Sequence, residues 1–351
     1  MSLQPDGQVA RLTGALPARP IRVVVCDDSP FMRRMIRQGL EVSTDIEVVG
    51  LAANAREAIE LCNGLTPDIL TLDLQLPDLD GIRVLQHIRN TNTRVIVVSA
   101  FTELKDGDRA VEALTEGAVD ILGKPTIEGS PSVFFAQLLD LVRDIAQGAP
   151  YVPSSAVRAA QNRVSQHRLV IVGASTGGPR ALHALLPSLP EDFPAPIVIV
   201  QHIPSWFNTP FAHRLDSACK LQVVEAVDGA QLTPGVVHVA VPDRHLHIEG
   251  STIRIRAGGR VNGLVPAVDV TMIDAAETWG SQVTGIILTG IGRDGREGAR
   301  AIHAAGGRVI AEHQRTCAVY GMPRSVVEAE LADAVVPLDE LAQQMMHEVY
   351  T

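Results

Sequence analysis

The sequence predicts an α/β chain of two units, each built on a parallel sheet with helices packed against its faces. Three observations carry that reading. The 351 residues are about twice the length of an ordinary domain. Apolar β-rich runs alternate with helical patterns almost from end to end. Between residues 148 and 167 the alternation stops, in a stretch with two prolines, three serines and no acidic residue. The expected divisions are a flexible leader at 1–20, a first unit at 21–147, a linker at 148–167 and a second unit at 168–351.

In the first unit, strands are expected at 21–26, 46–51, 69–72, 95–99 and 119–122, and helices at 31–42, 55–65, 81–89, 106–116 and 132–148. This is a (βα)5 pattern. Runs apolar throughout, such as Val95-Ile-Val-Val98, mark strands covered on both faces. In the second unit, strands are expected at 169–172, 197–201, 221–225, 237–240, 246–249, 252–256, 285–288, 308–311 and 334–336, and helices at 180–186, 267–279, 297–305 and 338–349. That series predicts a doubly wound, Rossmann-like parallel fold with a small antiparallel β insertion.

Composition excludes several functions. With 46% hydrophobic and 20% charged residues the chain is globular, and 30 Lys plus Arg against 40 Asp plus Glu argue against a nonspecific nucleic-acid or anionic-membrane binder. No apolar run approaches the roughly 20 residues of a membrane span, and the leader, with Pro5, Asp6, Pro17 and Pro20, lacks a signal peptide's apolar core. A cytoplasmic protein without membrane insertion is expected. Cys26, Cys62, Cys219 and Cys317 are too scattered for a zinc site and read as buried thiols.

Two constellations carry chemistry. Asp27 and Asp28 end the first strand and Asp73 ends the third, at the sheet edge where α/β ligands gather. Three carboxylates there repel unless a hard cation such as Mg2+ sits among them, although a lone Asp at a strand end is usually a helix cap. Ser99 and Lys124 add a hydroxyl and a cation at the same edge. These residues, with Leu76-Pro77-Asp78-Leu79-Asp80-Gly81 and Lys124-Pro125, resemble the receiver domains of two-component response regulators. The resemblance implies Asp73 as phosphoacceptor, Mg2+ held by Asp28 and the Gln75 carbonyl with Asp27 acting through water, Ser99 and Lys124 as phosphate-site support, and a histidine kinase as phosphodonor. Ile121 stands where many receivers carry an aromatic switch residue.

In the second unit, Gly173-Ala-Ser175-Thr-Gly177-Gly178-Pro179 runs from strand to helix, with glycines placed to let a strained turn expose the Ser175 hydroxyl. A dinucleotide loop is the competing reading, but the next strand ends in His202 rather than the acid that binds a ribose. His202 suits a serine nucleophile as general base, and Asp294, in Gly290-Ile-Gly-Arg-Asp-Gly295 after a third strand, would orient it. Singly, each has a plainer reading as a structural histidine or a turn aspartate. Together with Gln201-His-Ile-Pro204 and Cys317-Ala-Val-Tyr-Gly-Met-Pro323 they resemble the CheB-type chemotaxis protein-glutamate methylesterases. That resemblance implies hydrolysis of glutamate methyl esters on the cytoplasmic domains of methylated chemoreceptors, deamidation of receptor glutamines, no cofactor for the esterase step, recruitment to receptor clusters, and restraint by the receiver until Asp73 is phosphorylated. Backbone N–H groups of Thr176 and Ile291 are the oxyanion candidates. Val265 and Ala267 replace the family's Arg and Ser at the cleft border, which motivates the alternative of a binding module or phosphate sink without turnover.

The receiver-like unit from 21 to 145 carries 20 acids and 12 bases, and the unit from 168 carries 19 and 14. Like-signed units are not drawn together by net charge, so any docking between them rests on local apolar and paired contacts.

Overall fold

The structure, a computed structural model, describes residues 19–100, 104–125, 131–147 and 168–350. The expected linker and all but the end of the leader lie outside the described residues.

The first unit alternates strands β1 (Ile21–Cys26), β2 (Ile46–Ala52), β3 (Ile69–Leu72), β4 (Arg94–Ser99) and β5 (Asp120–Gly123) with helices α1 (Pro30–Glu41), α2 (Ala55–Leu65), α3 (Gly81–Ile88), α4 (Leu104–Thr115) and α5 (Pro131–Gln147). The strands pair in parallel in the order β2-β1-β3-β4-β5. The Leu76–Gly81 loop is anchored by its acids. The Asp78 carboxylate accepts the Ala55 and Arg56 N–H groups that open α2, at 2.9 and 3.2 Å. Asp80 caps α3 through the Ile82 N–H and pairs with Arg109 of α4 at 2.7 Å.

The second unit holds strands β6 (Leu169–Ala174), β7 (Ile197–Gln201), β8 (Gln222–Glu225), β9 (Val236–Val239), β10 (His245–Glu249), β11 (Thr252–Arg256), β12 (Val283–Ile287), β13 (Arg308–Glu312) and β14 (Ala334–Val336). Its helices are α6 (Gly178–Leu185), α7 (Ser205–Ala218), α8 (Val268–Trp279), α9 (Arg296–Ala304), α10 (Met322–Val327) and α11 (Leu338–Tyr350). Seven strands form one sheet in the order β14-β13-β12-β6-β7-β9-β8, and β10 and β11 form the expected antiparallel pair. Helices α7 and α10 are absent from the sequence reading. Pro210 lies inside α7, whose apolar positions do not segregate to one face, and α10 is only six residues long. Both helices are fixed by tertiary packing rather than by local pattern.

The two units share a core. Ala110, Val111 and Leu114 of α4 fall in one apolar cluster with Leu182 of α6 and Phe207 and Phe211 of α7. The approach is closest at Gly107, where a Cβ would lie 2.4 Å from Pro210 Cγ and 3.2 Å from the Trp206 carbonyl oxygen. Only glycine lets α4 sit this deep against α7. Among the described residues no helix is long and apolar enough to cross a membrane.

Candidate active site

Sheet register brings the second constellation together. Ala174 of β6 pairs with Gln201 of β7, and Gly173 with Ile287 of β12, so the residues after these three adjacent strands emerge side by side. The order reverses at β6, which has β12 on one side and β7 on the other, and clefts form outside such reversals. Ser175 follows β6, His202 follows β7, and Asp294 lies in the loop after β12. Hydrogen bonds lock the loops: the Ser175 N–H donates to the Thr289 carbonyl at 3.0 Å and the His202 N–H to the Ala174 carbonyl at 3.1 Å.

Ser175 itself keeps a negative φ within this turn. Among the described residues the non-glycine positive φ values fall at Thr66, Asp243, Asn262 and Glu330, and the turn takes its left-handed φ of 77° at Gly177 instead. Pro179 is the second residue of α6, not the first.

His202 and Asp294 are joined at 2.9 Å between Nε2 and Oδ2. The other ring nitrogen, Nδ1, is buried and carries no hydrogen bond, leaving its lone pair free. Asp294 is fully buried, and burial alone would raise its pKa. The hydrogen bond and charge of His202, with the N–H groups of Val268 and Asp269, outweigh that and hold the carboxyl below its usual value. Those amides open α8, whose N-cap residue Ala267 offers no side-chain acceptor. Asp294 therefore caps a helix whose own N-cap residue has no side-chain acceptor. Ala267 itself is wholly buried, its N–H donating to His245 Nδ1 at 3.3 Å.

Gln201 has no role in the sequence reading beyond its place in a family motif, yet its Nε2 donates to the Ser175 carbonyl at 2.8 Å and the His202 carbonyl at 3.2 Å, clamping the two loops together. The signal was available, since a buried amide ends an otherwise apolar strand.

In the first unit, ligand atoms of Asp27, Asp28 and Asp73 lie within 4.8 Å of one another. Lys124 Nζ approaches Asp27 at 2.7 Å and also bonds Asp73. Burial would depress this ammonium, but Asp27 and Asp73 outweigh burial and raise its pKa. Ser99 Oγ donates to Asp73 Oδ1 at 2.6 Å, and the Gln75 N–H donates to the same oxygen at 3.1 Å. This all-oxygen set fits a hard divalent cation.

Residues 170–345 match the CheB methylesterase family, and residues 23–130 match the response regulator receiver domain. The chain is a member of the CheB methylesterase family. It is 40% identical over 341 residues to a protein-glutamate methylesterase/protein-glutamine glutaminase of Thermotoga maritima, covering 93% of this chain and 98% of that protein. A similarly named protein of Myxococcus xanthus, number 5 of its series, is 42% identical over 334 residues, covering 91% and 95%. The crystal structure of the Thermotoga maritima CheB methylesterase catalytic domain aligns with a TM-score of 0.51 at 42% identity, covering 52% of this chain and 98% of that domain.

In this CheB-family chain the receiver packs against the loops around Ser175 and Ile291. The Thr176 side chain hydrogen-bonds Asp120 at the start of β5, whose carboxyl burial pushes up to about 6. Ile291, Ala318 and Val319 join one apolar cluster with Leu122, Phe134 and Leu138 of the receiver. Arg324 of α10 faces Asp144 of α5 electrostatically.

Asp294→Ala should cost about 2 kcal/mol of stability, because it strands two buried helix amides. Urea unfolding checks this, with Ser175→Ala, which strands none, as the unaffected comparison. The depressed carboxyl makes the Asp294 contribution present above the ordinary carboxylate range and lost as pH falls through its lowered value.

Proposed function

We propose that this chain is a protein-glutamate methylesterase, active also as a protein-glutamine glutaminase, that acts on the cytoplasmic domains of methylated chemoreceptors. The observation that supports the reading is the placement of Ser175, His202 and Asp294 in the segments that follow three adjacent strands, with His202 bonded to Asp294 at 2.9 Å.

Ser175 Oγ attacks the ester carbonyl carbon while His202 Nδ1 takes the hydroxyl proton, and Nε2–H donates to Asp294, which stabilises the imidazolium. The N–H groups of Thr176 and Ile291 receive the oxyanion. As the tetrahedral adduct collapses, the imidazolium returns its proton to the departing methoxide and methanol leaves. Water, deprotonated by His202, then splits the acyl-enzyme to free glutamate and Ser175. With a glutamine substrate the leaving group is ammonia.

Control falls to the receiver, residues 21–147, connected through 148–167 to the esterase at 168–351. Asp73 is the phosphoacceptor and a histidine kinase the donor. Mg2+ held by Asp28 and the Gln75 carbonyl, with Asp27 and Asp73 beside it, supplies charge neutralisation at the phosphoryl oxygens when bound. Lys124 adds a cation, and Ser99 is placed to hydrogen-bond the phosphoryl group. Helix α4 comes after the Ser99 strand and rests on α6 and α7, which begin just after Ser175 and His202, so a shift of α4 reaches both loops. The unphosphorylated receiver restrains the esterase through this contact. The protein works in the cytoplasm, recruited to receptor clusters.

Methanol release from methylated receptor fragments tests the activity. Association with those fragments without methanol release would favour a binding module instead.

A further inference from the structure

We propose that Glu312 is a positioning residue for the Ser175 turn and that ionisation of its buried carboxyl sets an alkaline limit on the esterase. The inference rests on the reading of Ser175 as nucleophile.

Glu312 ends β13, next to β12, and is completely buried. Its Oε2 accepts the Thr289 N–H at 2.8 Å, while Oε1 is buried without a hydrogen-bond partner. Thr289 is the hub of the turn. Its carbonyl accepts the Ser175 N–H at 3.0 Å, and its Oγ1 donates to the Thr176 carbonyl at 2.9 Å and accepts the Val319 N–H at 2.9 Å. One residue thus separates the Glu312 carboxyl from the backbone of both Ser175 and Thr176.

The groups that face the carboxyl are the Thr289 amide from the β12 end and the Thr316 and Cys317 side chains from its own following loop. Cys317 is the titratable one among them, and burial together with Glu312 holds its thiol protonated. No cation pairs with Glu312 among the described residues. Burial pushes the carboxyl up to about 7, against the smaller pull of Thr289, Thr316 and Cys317. Protonated, the group holds Thr289 without adding charge. Ionised, it puts an unpaired negative charge beneath a turn where the reaction itself builds an oxyanion, in surroundings that screen poorly.

The same titration bears on stability. Folded Glu312 keeps its proton to higher pH than the unfolded chain does, so folding stability falls as pH rises from the ordinary carboxyl range to about 7 and stays reduced above it. Glu312→Gln keeps an acceptor for Thr289 and removes the charge.

The test measures kcat and KM for methanol release from methylated receptor fragments between about pH 6 and 9 for the wild-type full chain, Glu312→Gln and Glu312→Asp, with Ser175→Ala as the blank. Wild type should lose several-fold in kcat above neutrality, Glu312→Gln should hold its plateau, and Glu312→Asp should keep a limb, with KM little changed in all three. Thermal unfolding should show Glu312→Gln gaining more over wild type at pH about 8.5 than at pH about 5. An identical alkaline limb in wild type and Glu312→Gln, or a melting difference that does not grow with pH, overturns the proposal. Turnover by Ser175→Ala overturns the nucleophile reading instead, and the melting comparison still decides whether Glu312 titrates.

Discussion

Ser175→Ala is expected to lower methanol release at least about 10³-fold while leaving the fold intact. On the proposed mechanism the hydroxyl is the attacking atom, so its loss would leave only substrate binding and the proposed oxyanion donors, and no hydrogen bond of the core depends on it. His202→Ala should be as severe, because without a base the hydroxyl stays a poor nucleophile. Asp294→Asn should be milder, since an amide can still accept from the α8 amides but orients the ring less well and offers no charge to the imidazolium. The double variant Ser175→Ala/His202→Ala should be no worse than either single one, as expected of residues that act as a unit. Steady-state methanol release and a urea midpoint on the same preparations check both halves. Near-normal turnover by Ser175→Ala would remove the assignment.

Asp73→Asn is expected to abolish labelling by a small phosphodonor, and wild type should label only with Mg2+ present. Asp73 is the carboxylate that Ser99, the Gln75 amide and Lys124 all address, which supports its proposed role as phosphoacceptor. Asp28 is exposed, and Asp28→Ala should raise the Mg2+ concentration needed for labelling without disturbing the fold of the esterase. Intact-mass measurement reads both effects. Label that persists in Asp73→Asn, or that forms equally in a chelator, contradicts the reading.

Much of the fold and of both sites is legible in the sequence. Parallel strands buried on both faces announce themselves as unbroken apolar runs, and the residues just after each run lie at one edge of the sheet, so Asp27, Asp73, Ser99 and Lys124 group together from sequence alone. The same logic groups Ser175, His202 and Asp294. The features that stay hidden depend on tertiary packing. The α7 helix carries Pro210 and no clear apolar stripe, so it forms because α4, β8 and α6 pack around it. The Asp294 cap on α8 spans 26 residues, and the Thr176–Asp120 contact joins the two domains, neither of which leaves a local periodicity. The tight turn around Ser175 takes its left-handed residue at Gly177, where glycine adopts a positive φ without steric cost. Gln201 and Glu312 share a signature worth reading in other chains, a polar residue closing an apolar strand beside a reactive loop.

The central claim is that a docked receiver restrains a competent esterase, and initial rates of methanol release test it most directly. Four preparations suffice: the full chain with and without phosphodonor and Mg2+, the fragment 168–351, and the full chain carrying Gly107→Leu. The leucine side chain would run into Pro210 and force α4 off α7. Only a few kcal/mol separate docked from free states in such interfaces, so modest perturbation changes the exposed fraction substantially. The account predicts that phosphodonor, truncation and Gly107→Leu each raise the rate above that of the untreated full chain, and that phosphodonor does nothing further to the fragment. A fragment no faster than the unphosphorylated full chain would contradict it.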